Sequence, residues 1–408
     1  MDDRIWRLPG PRSIVADVAA EHGRGRHVAV VLPKALAESP NFTDSLAVAL
    51  IDEFANRFDT RRIYDPGPGT SVLGAFCQAL IMGEPPATVP ELLRHEEVQD
   101  KVAVVVAADM PGTARAELVK FLQRVELESH AGSYGQRLSI VAIVTRDELP
   151  AFSGGTASDI AMTTIWWWGR IARWDVAAYI AGSNVFPGAS EAGVLADVRA
   201  ESIVEVARWD LDLAERLADL WAGDPAELPI LLAGKCEDRL RDDRNGSRAT
   251  ETGSLGDWDD LRPPDELCGP WDDRQLDRWH GRPSGSGYSL ATTSAGLSRA
   301  VWAAQARVLL PWVEERRSAL LHRVKETLGN GRFADLLHRR FQPPVKPDGS
   351  VEIGVLDRLV RMTIGSSDPE LRDASRHLRN ARNLLAHMTP LTLTQQESLV
   401  SACKTLLT

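Results

Sequence analysis

The chain has 408 residues, 44% of them hydrophobic and 25% charged, with a formal net charge of −10. That length exceeds one ordinary core and that apolar content excludes a disordered chain, so two or three packed domains are expected. The longest apolar runs, such as Val102 to Ala108, fall short of a bilayer span, and Met1-Asp2-Asp3-Arg4 lacks the basic-then-apolar layout of a signal peptide. These features predict a soluble, cytoplasmic protein with no membrane partner.

After a leader over residues 1–24, Arg26 to Leu32 is a β-branched run that predicts a buried strand, and Phe42 to Phe58 has helical apolar spacing. Two further buried strands, Lys101 to Ala107 and Leu138 to Val144, flank the helix-like Thr113 to Glu128. Alternating strands and helices imply an α/β domain over residues 25–160 built on a mostly parallel sheet. Residues 161–241 predict a helical extension: Thr163 to Ala181, Val194 to Leu220 and Pro229 to Leu240. Trp166, Trp167 and Trp168 fall in its first helix, where three adjacent indoles cover three faces and suit a wedge between domains. Residues 242–290, rich in Asp, Arg, Gly, Ser and Pro with isolated Trp258, Trp271 and Trp279, predict a linker. Residues 291–408 predict an all-α bundle: Leu297 to Leu328 bent at Pro311, Arg332 to Phe341, Val351 to Thr363, Pro369 to His387 and Thr394 to Leu407.

The α/β domain lacks the parts of an ATPase. A phosphate-binding loop needs glycines after the first strand and a Lys-Ser/Thr pair, but Pro33 to Ser45 contains no glycine. Asp109 stands where a metal-binding acid would follow the second buried strand, yet Met110-Pro111-Gly112 supplies no catalytic glutamate. Asp65 to Ser71, ahead of the apolar run Val72 to Met82, suits a turn and helix cap better than an anion site. The strand order, Asp109, and Trp166-Trp167-Trp168-Gly169-Arg170 with Asp175 resemble the degenerate, inactive STAND-type P-loop modules of bacterial conflict systems. That resemblance covers residues 25 to about 220 and implies a signalling or assembly module without hydrolysis.

Cys77, Cys236, Cys268 and Cys403 form no CxxC pair and have no histidine at ligand spacing, so reduced thiols without a metal are expected, and no cofactor. Charge is uneven. From Ala295 to Thr408 there are 17 Lys+Arg against 11 Asp+Glu, a net +6, leaving −16 elsewhere, so a polyanion would meet the C-terminal end. His322, His338 and the arginines Arg316, Arg317, Arg339, Arg340 and Arg361 are candidates for an electrostatic approach, each also readable as an ordinary exposed cation. Trp302, Gln305 and Trp312 suit core or dimer contacts.

In the helix Pro369 to His387, Leu371, Ala374, Leu378, Ala381 and Leu385 form one apolar stripe, while Arg376, Asn380, Asn383 and His387 form a polar ridge opposite. Pro390 disfavours helix at Thr389 and stops it near His387. A helix end favours cations, and imidazole exchanges protons near neutral pH. Arg382 would neutralise a phosphate, Asn383 or Asn380 would hold a hydroxyl or orient the imidazole, and Arg376, Arg379 and Asn380 are the candidate substrate-binding residues. Arg382 and His387 are five residues apart, about 140° around a straight helix, so a shared site needs a distorted helix end or a second chain.

Arg382-Asn383-Leu384-Leu385-Ala386-His387 resembles the Arg-polar-x-x-x-His signature of the HEPN family of RNA-cleaving and RNA-binding helical domains, over residues 295–408. The resemblance implies a metal-independent endoribonuclease with Arg382, Asn383 and His387 as catalytic residues, leaving 2′,3′-cyclic phosphate ends, and a homodimer through the C-terminal domain. It implies an antiviral effector with partner proteins of a defence system, or alternatively a non-catalytic RNA- or protein-binding adaptor.

Overall fold

The computed structural model describes residues 3–65, 67, 69–129, 138–149, 161–182, 193–233, 261–291, 294–341 and 351–406. In chain order the first elements are α1 (Pro9–Gly23), β1 (His27–Leu32), α2 (Lys34–Ala37), α3 (Pro40–Ala55), β2 (Asp59–Ile63), α4 (Val72–Leu80), α5 (Val89–Arg94), β3 (Lys101–Val106), α6 (Gly112–Ser129), β4 (Ser139–Thr145) and β5 (Met162–Trp166). Next come α7 (Arg173–Ala181), α8 (Gly193–Ala207), α9 (Leu211–Leu220), α10 (residues 228–233), α11 (Cys268–Asp272), and the strands β6 (Leu276–Trp279) and β7 (Arg282–Gly285). The chain ends with α12 (Gly287–Leu290), α13 (Ser294–Leu328), α14 (Asn330–Phe341), α15 (Ile353–Thr363), α16 (Pro369–Ala386) and α17 (Leu393–Ala402). Among described residues no helix is long and apolar enough to cross a membrane. The chain divides by contact into two units, residues 3–175 with 261–286, and 176–233 with 287–406.

The first unit is α/β. Its five strands are all parallel in the order β2-β3-β4-β1-β5. β1 is buried along its whole length, and in β3 and β4 only an end residue is partly exposed. This is why these strands read as unbroken apolar runs: helices cover both faces.

Three expectations are corrected here. The expected leader contains α1, whose Ile14, Val15 and Val18 are fully buried. It lies so close to the segment after β5 that a Cβ on Gly10 would stand 1.8 Å from the Arg170 carbonyl oxygen, and the Gly10 N–H donates to Asp175 Oδ1 at 2.8 Å. The expected helix from Thr163 begins instead as β5, paired with β1 from His27↔Met162 to Val31↔Trp166. The half-buried Thr163 and Thr164 interrupt this stretch, so its burial does not alternate, while its Thr, Ile and Trp content favours extended backbone. The three indoles are therefore buried around an extended segment, with Trp167 against Trp6 and Phe42 and Trp166 against Trp271. Finally, the expected linker is folded over residues 261–286, as α11 and the antiparallel β6–β7 hairpin, burying Trp271 and Trp279. Trp258, Cys236 and the end of the predicted helix Pro229 to Leu240 lie outside the described residues.

The second unit is helical. α13 packs on α8 and α16, α16 on α15 and α17, and α8 on α9. Val198 of α8 shares a core with Leu309, Val313, Leu356, Leu378 and Leu385, so the helical extension and the C-terminal helices are one body. α13 runs as a single helix through Pro311.

Candidate functional site

α16 carries the residues singled out by the sequence. Asp368 caps its start, accepting from the Leu371 N–H at 2.9 Å, with Pro369 at the first helical position where no N–H is needed. Leu371, Ala374, Leu378, Ala381 and Leu385 are all buried at 3% exposure or less, which fixes the rotation of the helix. Arg376, Asn380, Arg382, Asn383 and His387 are all exposed as a result.

The helix ends in a Schellman turn. His387 is the C-cap (φ −97°, ψ 18°), the Thr389 N–H bonds Leu384 O at 3.0 Å and the Met388 N–H bonds Leu385 O at 3.3 Å. Met388 takes the left-handed position at φ 54°, where a non-glycine residue costs roughly 1–2 kcal/mol. α13 holds this end: Trp302 Nε1 donates to Leu385 O at 2.7 Å, and buried Gln305 both donates to Leu391 O (2.8 Å) and accepts from the Leu391 N–H (2.6 Å). Gln396 Nε2 adds a bond to Leu391 O at 3.1 Å. Trp302 and Gln305, expected as general core or dimer residues, are thus the clamp on the end of α16.

Arg382, Asn383 and His387 have no side-chain hydrogen bond or ion pair among the described residues. The His387 N–H still bonds Asn383 O at 3.0 Å, so His387 keeps its place on the helix and stays about 140° around it from Arg382. Among the described residues no hydrogen bond or ion pair joins the two side chains. Of the expected substrate-binding residues, Arg376 is exposed and, among the described residues, pairs with Asp373 alone, at 3.3 Å. Asn380 is exposed with a long contact from Arg379. Arg379 differs: its Nη1 lies 2.6 Å from Asp357 Oδ2, on a carboxylate with 0% exposure that also receives Arg361 (3.0 Å) and the Ser375 hydroxyl (3.2 Å). Arg379 thus neutralises a buried acid and joins α16 to α15, while Arg361 meets the same acid from within α15, four residues on.

Two other expected cations are likewise taken. Arg316 stacks on Trp312, and Arg317 pairs with Glu314 and donates to Val351 O. Arg339 pairs with Asp335 and His322 with Glu326 at their exposed surfaces. His377, half-buried on α16, is held below its ordinary pKa by burial and then by Arg376, with Asp373 opposing.

The first unit presents its second candidate region at the carboxyl ends of the parallel strands, where open α/β sheets bind ligands. Its charges are internally matched. Arg62 pairs with Asp44 and with Asp109 (2.7 Å), so the acid after β3 is already bound. The loop after β1 is the short helix α2, whose exposed Lys34 ammonium lies 3.9 Å from Glu38. The Lys34 N–H is bonded to the Asp272 carboxylate, which also meets Arg146 at 3.3 Å. Burial raises the pKa of Asp272, and Arg146 opposes it. At residues 65–71, Ser71 caps α4 by accepting from the Gly74 N–H (3.0 Å), and Glu117 takes the Val72 N–H (2.9 Å). These helix-start amides have protein partners, as expected for a turn and cap. Cys77, Cys268 and Cys403 are buried free thiols, and no group of three or more His, Cys, Asp or Glu suited to a metal occurs among the described residues.

The fold and site define a chain with a parallel-sheet α/β unit and a helical unit bearing an exposed Arg-Asn-x-x-x-His helix end. No protein-family model matches the chain, and no curated protein matches it. Among solved structures, a mutant RuvB from Thermotoga maritima is similar at 13% identity, covering 88% of this chain and 94% of that chain with a TM-score of 0.25. A likeness at that score carries no argument about fold or activity.

Proposed function

We propose that the helical unit is a HEPN-type, metal-independent endoribonuclease and that the α/β unit is a sensor or assembly module without ATP hydrolysis, together forming an antiviral effector of the bacterial conflict type. The observation that carries the reading is the free state of Arg382, Asn383 and His387 on a helix end fixed by Trp302 and Gln305. Exposed polar groups held on a rigid support without protein partners suit a ligand. Metal-free RNA cleavage needs a group that moves a proton between the 2′-hydroxyl and the 5′-leaving oxygen, and a cation for the phosphorane. His387 supplies the first and Arg382 the second, while Asn383, Asn380 and Arg376 orient the strand. Arg379 is withdrawn from that set, since Asp357 occupies it. Because no hydrogen bond or ion pair joins Arg382 to His387 among the described residues and the helix sets them about 140° apart, the working site contains these residues from two copies, as a homodimer.

For the α/β unit, the place of β1 inside the parallel sheet, between β4 and β5, supports the resemblance to P-loop modules. The absence of glycine after β1 and the pairing of Asp109 with Arg62 argue against hydrolysis. The test is incubation of the full chain with single-stranded RNA in EDTA, comparing wild type with His387→Ala and Arg382→Ala. The proposal expects cleavage by wild type and its loss in both variants. Binding without cleavage would favour the adaptor reading.

A further inference from the structure

The Schellman turn that ends α16 places Met388 at φ 54°, where glycine has no side chain to strain and methionine has. The strain has no local outlet. Met388 and Thr389 are bonded back to Leu385 O and Leu384 O, Trp302 holds Leu385 O, and Gln305 holds Leu391 on the far side. The Met388 side chain is nevertheless 63% exposed, so packing inside the chain does not offset its conformation. A backbone outlier held this firmly beside a candidate catalytic group points to use at the surface.

Resting on the RNA-cleaving reading above, we propose that Met388 is a substrate-contact residue whose thioether lies against a nucleobase of single-stranded RNA held at His387. Its neighbours favour this occupant. Asn383, His387 and Thr389 are exposed polar residues, and in the two-copy site proposed above they line the cleft that takes RNA, so Met388 among them faces the strand and not the apolar centre of a subunit contact. A single base needs only one apolar, polarizable surface on one of its faces. Met388 adjoins the reacting phosphate without touching it, so it sets affinity and base preference and leaves proton transfer to His387.

The test uses the full chain with a mixed-sequence single-stranded RNA, unmodified for cleavage and fully 2′-O-methylated for binding without cleavage. Met388→Gly is expected to raise the thermal midpoint by relieving strain, to weaken binding of the methylated RNA about tenfold, and to raise KM with kcat nearly unchanged. Met388→Leu keeps an apolar side chain and is expected to stay within about twofold of wild type. A Met388→Gly chain that binds and cuts like wild type overturns the proposal and leaves RNA cleavage standing. A Met388→Gly chain with lower oligomeric mass and unchanged RNA affinity overturns it in favour of contact with a second copy. If wild type neither binds nor cuts either RNA, the RNA reading and the proposal fall together.

Discussion

The Gln305 side chain closes a reciprocal pair of hydrogen bonds with the backbone of Leu391, donating at 2.8 Å and accepting at 2.6 Å across 86 residues of sequence. Both groups are buried, so removing the amide leaves the Leu391 N–H without a partner. Gln305→Ala is expected to cost about 1–3 kcal/mol in denaturant unfolding. It should also lower RNA cleavage, although the Gln305 hydrogen bonds go to the Leu391 backbone and not to a motif side chain, because the α16 terminus loses its clamp.

Arg379 and Arg376 lie three residues apart on one helix and are expected to behave oppositely. Arg379→Ala strips a charge-assisted bond from Asp357, which has 0% exposure, and should destabilise the chain by about 1.5–3 kcal/mol. Arg376 is exposed and, among the described residues, pairs with Asp373 alone, so Arg376→Ala should change stability by under about 0.5 kcal/mol. Its effect should fall on RNA affinity and on the salt dependence of binding. Denaturation curves and RNA titrations at two salt concentrations separate the two roles.

Much of this site was legible in the sequence. Pro369 marked the start of α16, Pro390 its stop, and the Leu371 to Leu385 stripe its buried face, because each is a local signal, whereas the Asp368 cap appears only in the structure. The division of labour between Arg376 and Arg379 was not legible, since it depends on α15 bringing Asp357 alongside. The Schellman turn was hidden because Met388 stands where glycine would have announced it. In the α/β unit, β1, β3 and β4 were legible as buried β-branched runs. β5 was not, since the half-buried Thr163 and Thr164 leave neither an unbroken apolar run nor an alternation, and the fold of residues 261–286 depends on tryptophans that composition alone placed in a linker.

Asp277 gives the first unit a pH dependence. It is buried at the end of the hairpin and accepts from the N–H groups of Gly169 (2.8 Å) and Arg278 (2.6 Å). Burial lifts its pKa from 3.8 to about 7 against those bonds and the nearby Arg274 and Arg278. A carboxyl whose folded pKa is raised binds more protons folded than unfolded between those values, so its contribution to stability falls as pH rises from about 4 to about 7. Asp277→Asn keeps an oxygen acceptor for Gly169 and cannot ionise. Thermal midpoints across that range should decline less in the variant, which should be more stable than wild type above pH 7 by a few kcal/mol, on the order set by the shift.

Gly10 should tolerate no side chain. With a Cβ, α1 must move away from the Arg170 carbonyl and the Asp175 carboxylate. Gly10→Ala is expected to cost about 1–3 kcal/mol, read as a lower denaturation midpoint, together with faster proteolysis within residues 9–23.

The central claim, that His387 and Arg382 cleave RNA through its own 2′-hydroxyl, is tested most directly by the ends of the fragments the full chain makes from single-stranded RNA in EDTA. The account predicts 2′,3′-cyclic phosphate on the upstream fragment and 5′-hydroxyl on the downstream one, with both absent in His387→Ala and no cut at a site carrying a single 2′-deoxy substitution. Fragments ending in 3′-hydroxyl and 5′-phosphate, or equal cleavage by the His387→Ala chain, would contradict it.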